Sequence, residues 1–229
     1  MKAALIHNDA ASRHFITNCA HLGHLLYWYR QGGTRLEVRQ QQEFRWLLLN
    51  HTLQSVIVAN QPQRLLLPHL HILAQYWQTL KKPQRVLELG LGGGAIRNYL
   101  QYSYPEAELV SVEHNAQVIH CYKRFFSAGQ SDNLCCLDAE QALNRCGRFD
   151  WLILDLFSEL DAPMFLFQQR FYELLSAALA PHGYVFINFL AHHHSQLTRL
   201  EQLLAATFGK AAKVITVPGY ANHLLFISR

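Results

Sequence analysis

The segment Val86-Leu87-Glu88-Leu89-Gly90-Leu91-Gly92-Gly93-Gly94 constrains the fold of this chain more than any other. A short apolar run ends in a cluster of glycines, and a helix-forming stretch begins near Ala95. Strand, glycine loop and helix in that order open a parallel βα unit. Glycine lets the backbone turn sharply and approach a ligand with no Cβ in the way. The helix start adds unpaired N–H donors. Glu88, Gly90, Gly92, Gly93 and Gly94 are therefore candidate nucleotide-binding residues, the alternative being a turn with a structural role only.

The rest of the C-terminal part repeats the theme. Apolar runs at Arg85–Leu89, Leu109–Glu113, Asn133–Leu137, Phe149–Asp155, Tyr184–Phe189, Lys213–Val217 and His223–Ser228 alternate with helix-like segments. Continuous apolar strands separated by helices predict a parallel sheet covered on both faces. Pro218–Asn222 is too short for a crossover helix, so the last two strands should pair antiparallel. The fold class expected is α/β. The arrangement resembles the Rossmann-like class I methyltransferase fold, a mostly parallel seven-stranded sheet with a terminal antiparallel hairpin. Ser195 is a candidate cap for a helix carrying Leu197, Leu200, Leu204 and Phe208, with Gly209 as its stop.

The pattern changes before Lys81-Lys82-Pro83. Arg35–Gln41, Phe44–Asn50 and Leu53–Ala59 read as short strands with tight connections. Leu66, Leu70, Leu73, Trp77 and Leu80 follow helical spacing, with Pro68 limiting where that helix begins. Leu22–Tyr29 fits helix or strand. The expected organisation is a small N-terminal β-rich extension with a linking helix over 1–80 and the nucleotide-binding domain over 81–229.

Composition narrows the class. Of 229 residues, 50% are hydrophobic and 16% charged, which excludes a disordered chain. The net charge of +4 is spread without blocks, so nothing marks a dedicated nucleic-acid surface. No apolar run approaches the ~18 residues of a membrane span, and the first residues do not resemble a signal peptide. The five cysteines form no Cys-x-x-Cys pair, which suits reduced thiols and a cytoplasmic location. Adjacent Cys135 and Cys136 read as small buried strand residues.

Three carboxylates fall at expected strand ends. Glu113 lies 23 residues after Gly90 and can accept both ribose hydroxyls of an adenosine moiety. A dehydrogenase places an acid similarly, so a nicotinamide dinucleotide is a rival ligand. Glu88 before the loop, together with the terminal hairpin, favours an S-adenosyl ligand. Asp138 can accept from the adenine amine or cap the following helix. Asp155 ends the Phe149–Asp155 strand, where ligands of such sheets bind. It is the candidate catalytic residue, the alternative being a structural aspartate.

Beyond Asp155 the sequence resembles the spermidine synthases, the polyamine aminopropyltransferases. Leu166-Phe167-Gln168-Gln169-Arg170-Phe171-Tyr172 is similar to the family's Leu-Phe-x-x-x-Phe-Tyr, and Ala180-Pro181-His182-Gly183 matches its turn into strand five. Leu49-Asn50-His51-Thr52-Leu53-Gln54 resembles its Leu-Asp-Gly-x-x-Gln hairpin, and Pro68-His69 its Tyr-His pair. The resemblance covers roughly residues 35–229. It implies that Gly90, Gly92 and Glu113 hold the nucleoside, Asp138 the adenine, and that Asp155 is the catalytic acid. Gln54, His69, Ser158 and Tyr172 would line the acceptor side.

The chain also departs from that pattern. Aligned at Gly90, the aspartate of the family's Gly-Gly-Gly-Asp-Gly-Gly loop falls on Gly93. Its Asp-Ser-Ser-Asp becomes Asp155-Leu156-Phe157-Ser158, so the second acid is gone unless Glu159 substitutes. Losing the loop carboxylate removes its repulsion of a carboxylate on the cofactor. The expectation is therefore a transferase using S-adenosylmethionine, ahead of its decarboxylated form, with a small-molecule acceptor, in all expectation an amine. The alternatives are a true polyamine aminopropyltransferase and a non-catalytic nucleoside-binding scaffold. Strand edges and the aromatics Tyr27, Trp28 and Tyr29 permit a homodimer. No metal is expected. His192-His193-His194 reads as a polar turn before a helix, with acceptor contact or a metal as the alternatives.

Overall fold

A computed structural model describes residues 5–129, 132–145, 147–156, 163–191 and 193–229. The chain forms two compact units. The first is built from Met1–Gln75, Leu91–Pro105 and Asn115–Asp132, and the second from Tyr76–Gly90, Glu106–His114 and Asn133–Arg229. The backbone passes from the second unit into the first directly after Gly90.

The first unit opens with a two-residue strand pair, β1 (Ile6–His7) with β2 (Ala10–Ala11). A short helix α1 (Arg13–Asn18) follows, capped by the Ser12 hydroxyl. Then comes an antiparallel meander of β3 (His24–Gln31), β4 (Thr34–Gln41), β5 (Phe44–Leu49) and β6 (Thr52–Val58). The ambiguous Leu22–Tyr29 stretch is thus resolved as strand, an edge strand hydrogen-bonded to β4. Its turn, Gly32-Gly33, gives the tight reversal a two-residue hairpin needs. Trp46 anchors this sheet: fully buried, it meets Phe15 edge-to-face at 5.1 Å and donates its indole N–H to the Cys19 carbonyl at 3.1 Å. Such an aromatic burial is worth several kcal/mol, of the order of ~3. Helix α2 (Pro68–Trp77) begins at its proline, the one helical position that loses no hydrogen bond by lacking an N–H.

The same unit holds helices α3 (Ala95–Ser103) and α4 (Ala116–Cys121). Helix α4 does not continue as a regular α-helix. The chain widens into a π-helical turn at Tyr122–Phe126.

The second unit is a seven-stranded sheet in the order β12-β13-β11-β10-β7-β8-β9. Its strands are β7 (Arg85–Leu89), β8 (Glu108–Val112), β9 (Leu134–Cys135), β10 (Phe149–Leu154), β11 (Leu179–Leu190), β12 (Lys213–Thr216) and β13 (Asn222–Ser228). The first five run parallel, and β13 enters antiparallel between β11 and β12. This is the expected sheet with its terminal hairpin. Helices α5 (Ala139–Arg145), α6 (Gln169–Ala178) and α7 (His194–Phe208) belong to this unit.

Its core joins the sheet to these helices through Leu87, Leu152, Phe171, Leu175, Val185 and Leu200. At the end of α2, Tyr76 stacks on Phe226 at 4.3 Å and Trp77 on Trp151 at 6.0 Å. Two local expectations need correction. Helix α7 is capped not by Ser195 but by His193, in a reciprocal capping box with Gln196. Cys136 is exposed, because β9 ends after two residues. Gly209 does stop α7, in a left-handed conformation.

Candidate functional site

The parallel strands β10, β7 and β8 all point their carboxyl ends to one edge of the sheet. Leu154 pairs with Leu89 and Leu89 with Val112, so the residues just beyond them stand side by side. These are Asp155, Gly90 and Glu113. At ~4.8 Å per strand, Asp155 and Glu113 lie roughly 10 Å apart with Gly90 between them.

Gly90 is required here twice over. Its φ is +95°, and a Cβ would collide with the Asp155 carbonyl. The two strand ends are stitched together by Asp155 N–H to the Leu89 carbonyl and Gly90 N–H to the Val112 carbonyl, each 2.9 Å.

Asp155 is partly buried. Burial pushes its carboxyl up to about 6, against a hydrogen bond from Asn188 that favours the ionised form. The Asn188 Nδ2 donates to Asp155 Oδ1 at 2.8 Å, and the Asn222 Nδ2 donates to Asn188 Oδ1 at 2.9 Å. Neither asparagine belongs to a recognisable motif. The available signal was Asn188 itself, a lone amide inside the buried run Val185–Leu190.

Glu113 is 9% exposed and its N–H donates to the Cys135 carbonyl at 3.0 Å. Its Oε1 lies 3.1 Å from His114 Nδ1. The Glu113 hydrogen bond is the main influence raising the His114 pKa, despite desolvation, and Asp138 adds a smaller pull in the same direction. These three groups therefore share one corner of the sheet edge. Asp138 is exposed and precedes α5, with its carbonyl accepting the Ala142 N–H at 3.0 Å.

Two other expected residues lie deeper. Glu88 is fully buried within β7 and accepts a hydrogen bond from the Ser111 hydroxyl of the neighbouring strand. Tyr172 is fully buried, and its hydroxyl donates to the Leu166 carbonyl at 2.7 Å. Burial raises its pKa. Its phenol therefore braces the loop before α6.

The remaining glycines belong to the first unit. Gly92 and Gly94 have φ of +51° and +70°, and a Cβ on Gly94 would strike the Tyr122 ring. Tyr122 donates to Asn98 Oδ1 at 3.2 Å and Asn98 to the Phe126 carbonyl at 2.9 Å, which fixes the loop against the start of α3. A Cβ on Gly93 would sit 2.6 Å from Ser55 Cβ. The Ser55 Oγ is buried and has no hydrogen-bond partner among the described residues. Gln54, just before it, has its carbonyl 3.9 Å from a Cβ placed on Gly92. His69 is buried and held neutral, its pKa lowered to about 3 by desolvation and then by His71. Ser158, Glu159 and His192 lie outside the described residues.

Residues 69–228 match the sequence profile of the spermine/spermidine synthase domain. A polyamine aminopropyltransferase from Chromobacterium violaceum is 27% identical over 194 residues, covering 82% of this chain and 72% of the relative. Among solved structures, a probable spermidine synthase from Corynebacterium glutamicum superposes with a TM-score of 0.74 at 20% identity, covering 90% of this chain and 80% of that one. A spermidine synthase bound to the transition-state analogue AdoDATO gives 0.67 at 17%, covering 89% and 72%. The two structural likenesses establish the fold, a class I methyltransferase-like sheet with an N-terminal antiparallel extension. The profile match extends over most of the chain and over the strand ends that carry Gly90, Glu113 and Asp155, and on that ground the chain belongs to the spermine/spermidine synthase family.

Proposed function

We propose that this chain is a transferase. It binds an S-adenosylmethionine-type co-substrate across the carboxyl edge of the seven-stranded sheet and transfers a carbon group from the sulfonium to an amine. The observation that carries the reading is Asp155, set beside Gly90 at the end of β10, where burial pushes its carboxyl up to about 6. Near neutral pH it is largely ionised yet still basic enough to take a proton. A neutral acceptor amine attacks a carbon bonded to the sulfonium. The C–S bond breaks, its electron pair stays on sulfur as a neutral thioether, and the amine proton passes to the Asp155 carboxylate. Glu113 is suited to the ribose hydroxyls and Asp138 to the adenine amine.

Family membership and the aminopropyltransferase relative favour the decarboxylated co-substrate and aminopropyl transfer to a polyamine-type acceptor. That weighs against the preference for intact S-adenosylmethionine drawn from Gly93. One observation keeps the second reading alive. Ser55 fills the volume beside Gly93, so a neutral hydroxyl stands where a carboxylate side chain would extend.

Asp155→Asn should leave thioether-nucleoside binding intact by calorimetry and lower transfer about 10²-fold or more. Undiminished turnover would demote Asp155 to a structural role and open the scaffold reading. The form of the co-substrate is decided by titrating both forms on the wild type and on Gly93→Asp/Ser55→Gly, where the serine is removed to admit the new side chain. A wild type that prefers the decarboxylated form supports aminopropyl transfer. One that prefers the intact form and loses that preference in the double variant supports the second reading.

A further inference from the structure

The Asp155 carboxylate is held by an amide chain that reaches across two further strands. Asn188 lies on β11 and is 4% exposed, one position beyond Ile187, which pairs with Leu154 of β10. Asn222 opens β13 and pairs in register with Leu190. An amide in a buried strand has two orientations. Turned one way, Asn188 offers an N–H to Asp155 and its oxygen to Asn222, as the two bonds of 2.8 and 2.9 Å require. Turned the other way, it would set its oxygen against the carboxylate and its N–H groups against those of Asn222. Both contacts would be repulsive. With Asn222 donating to Asn188 Oδ1, the orientation that satisfies Asp155 satisfies both amides at once.

The backbone of Asp155 is fixed separately, by Leu89 and by the close approach of Gly90. With Oδ1 taken by Asn188, Oδ2 has no hydrogen bond among the described residues. Among the described residues, the influences on this carboxyl are its burial and the Asn188 amide.

We propose that Asn222 and Asn188 form a positioning relay that orients the Asp155 carboxylate, holding one oxygen so that the other faces the acceptor amine. The proposal rests on the reading of Asp155 as the proton acceptor. The relay couples the terminal hairpin to the reacting edge, so a change at the hairpin is felt at a side chain two strands away.

The test uses the full-length chain, with the carboxyl carbon of aspartate isotopically labelled and followed by NMR through a pH titration without co-substrate. Transfer is measured in parallel with decarboxylated and intact S-adenosylmethionine and a panel of diamines. Asn188→Leu should raise the Asp155 titration by about one to two pH units, the scale of one hydrogen bond to a charged group. It should move the acidic limb of the rate profile by the same amount. Asn222→Asp should reverse the Asn188 amide and give a comparable rise, whereas Asn222→Ala gives a smaller one. A through-space effect of the new charge is separated by the double variant Asn188→Leu/Asn222→Asp. The relay predicts that the Asn222→Asp increment disappears when Asn188 is gone. An increment that persists, or Asn188 variants that fold by thermal unfolding yet leave the titration in place, overturns the relay. Turnover that survives Asp155→Asn while the titration shifts appear as stated would instead overturn the reading of Asp155 and leave the relay standing.

Discussion

The two sheets of this protein place their carboxylates differently. In the seven-stranded sheet, Glu113, Asp138 and Asp155 lie beyond strand ends, and among the described residues only Glu88 is enclosed mid-strand, bound by the Ser111 hydroxyl. In the four-stranded sheet the one buried carboxylate sits mid-strand. Glu37 of β4 is 1% exposed and clasped by Arg35 and Arg39, each at 2.8 Å, with His51 at 4.0 Å. A charge so enclosed is consumed by its partners. A charge at a strand end keeps a face toward the ligand edge. The contrast teaches that the N-terminal sheet neutralises its buried carboxylate within one strand, while the parallel sheet sets three of its carboxylates beyond strand ends, where a ligand can meet them.

The comparison breaks most sharply at Gly90. Gly90→Ala places a methyl into the Asp155 carbonyl at a backbone angle that L residues avoid. We expect a loss of about 3 kcal/mol or more by urea unfolding, since steric overlap and backbone strain add. Nucleoside affinity should fall with it. A variant as stable as wild type would mean that the two strand ends move independently. In the other sheet, Glu37→Ala strands two arginines and should cost about 2–4 kcal/mol, less than a fully enclosed pair because Arg35 reaches solvent. Nucleoside binding is the control: if it drops as much as stability does, the division of labour between the sheets is wrong. Glu113→Ala should weaken thioether-nucleoside binding by about 1.5–3 kcal/mol, the range of a charge-assisted hydrogen bond. Equal affinity in calorimetry would remove Glu113 from the site.

Legibility followed the same division. The parallel strands announce themselves as apolar runs, and their carboxylates can be read off as the first polar residue after each run. Glu113 and Asp155 are legible that way, and Gly90 from the glycine cluster that follows its strand. What a linear pattern does not carry is the depth of a side chain. Glu88 lies inside the sheet rather than on its edge because strand residues alternate faces and it pairs with Ser111. Tyr172 sits in a motif shared with the family, yet its hydroxyl is bound internally by Leu166. Asn188 and Asn222 are 34 residues apart and meet only because β13 returns antiparallel beside β11. Ser55 carried no motif of its own, and its closeness to Gly93 comes from tertiary packing.

The smallest effect is the most specific to placing chemistry at a strand end. Burial holds the Asp155 carboxyl at about 6, above its ordinary 3.8. The folded state therefore binds that proton more tightly than the unfolded chain does. Below pH ~4 the group is protonated in both states and costs nothing. As the pH rises from ~4 through ~6 the folded protein must hold a partly desolvated carboxylate, and stability is lost. The full penalty would be about 3 kcal/mol at 1.36 kcal/mol per pH unit. Asp155 is partly exposed, so solvent screening reduces it to about 1–2. Asparagine keeps the Asn188 hydrogen bond without the charge. Asp155→Asn should therefore stabilise the protein by about 1–2 kcal/mol at pH 7.5 and by nothing measurable at pH 4, read from urea midpoints at both values. A variant less stable than wild type at pH 7.5 would mean that the carboxylate is favourable on balance and that its raised pKa has been misassigned. A gain confined to the higher pH would identify Asp155 as a residue kept at a cost to the fold, as a group retained for proton transfer is expected to be.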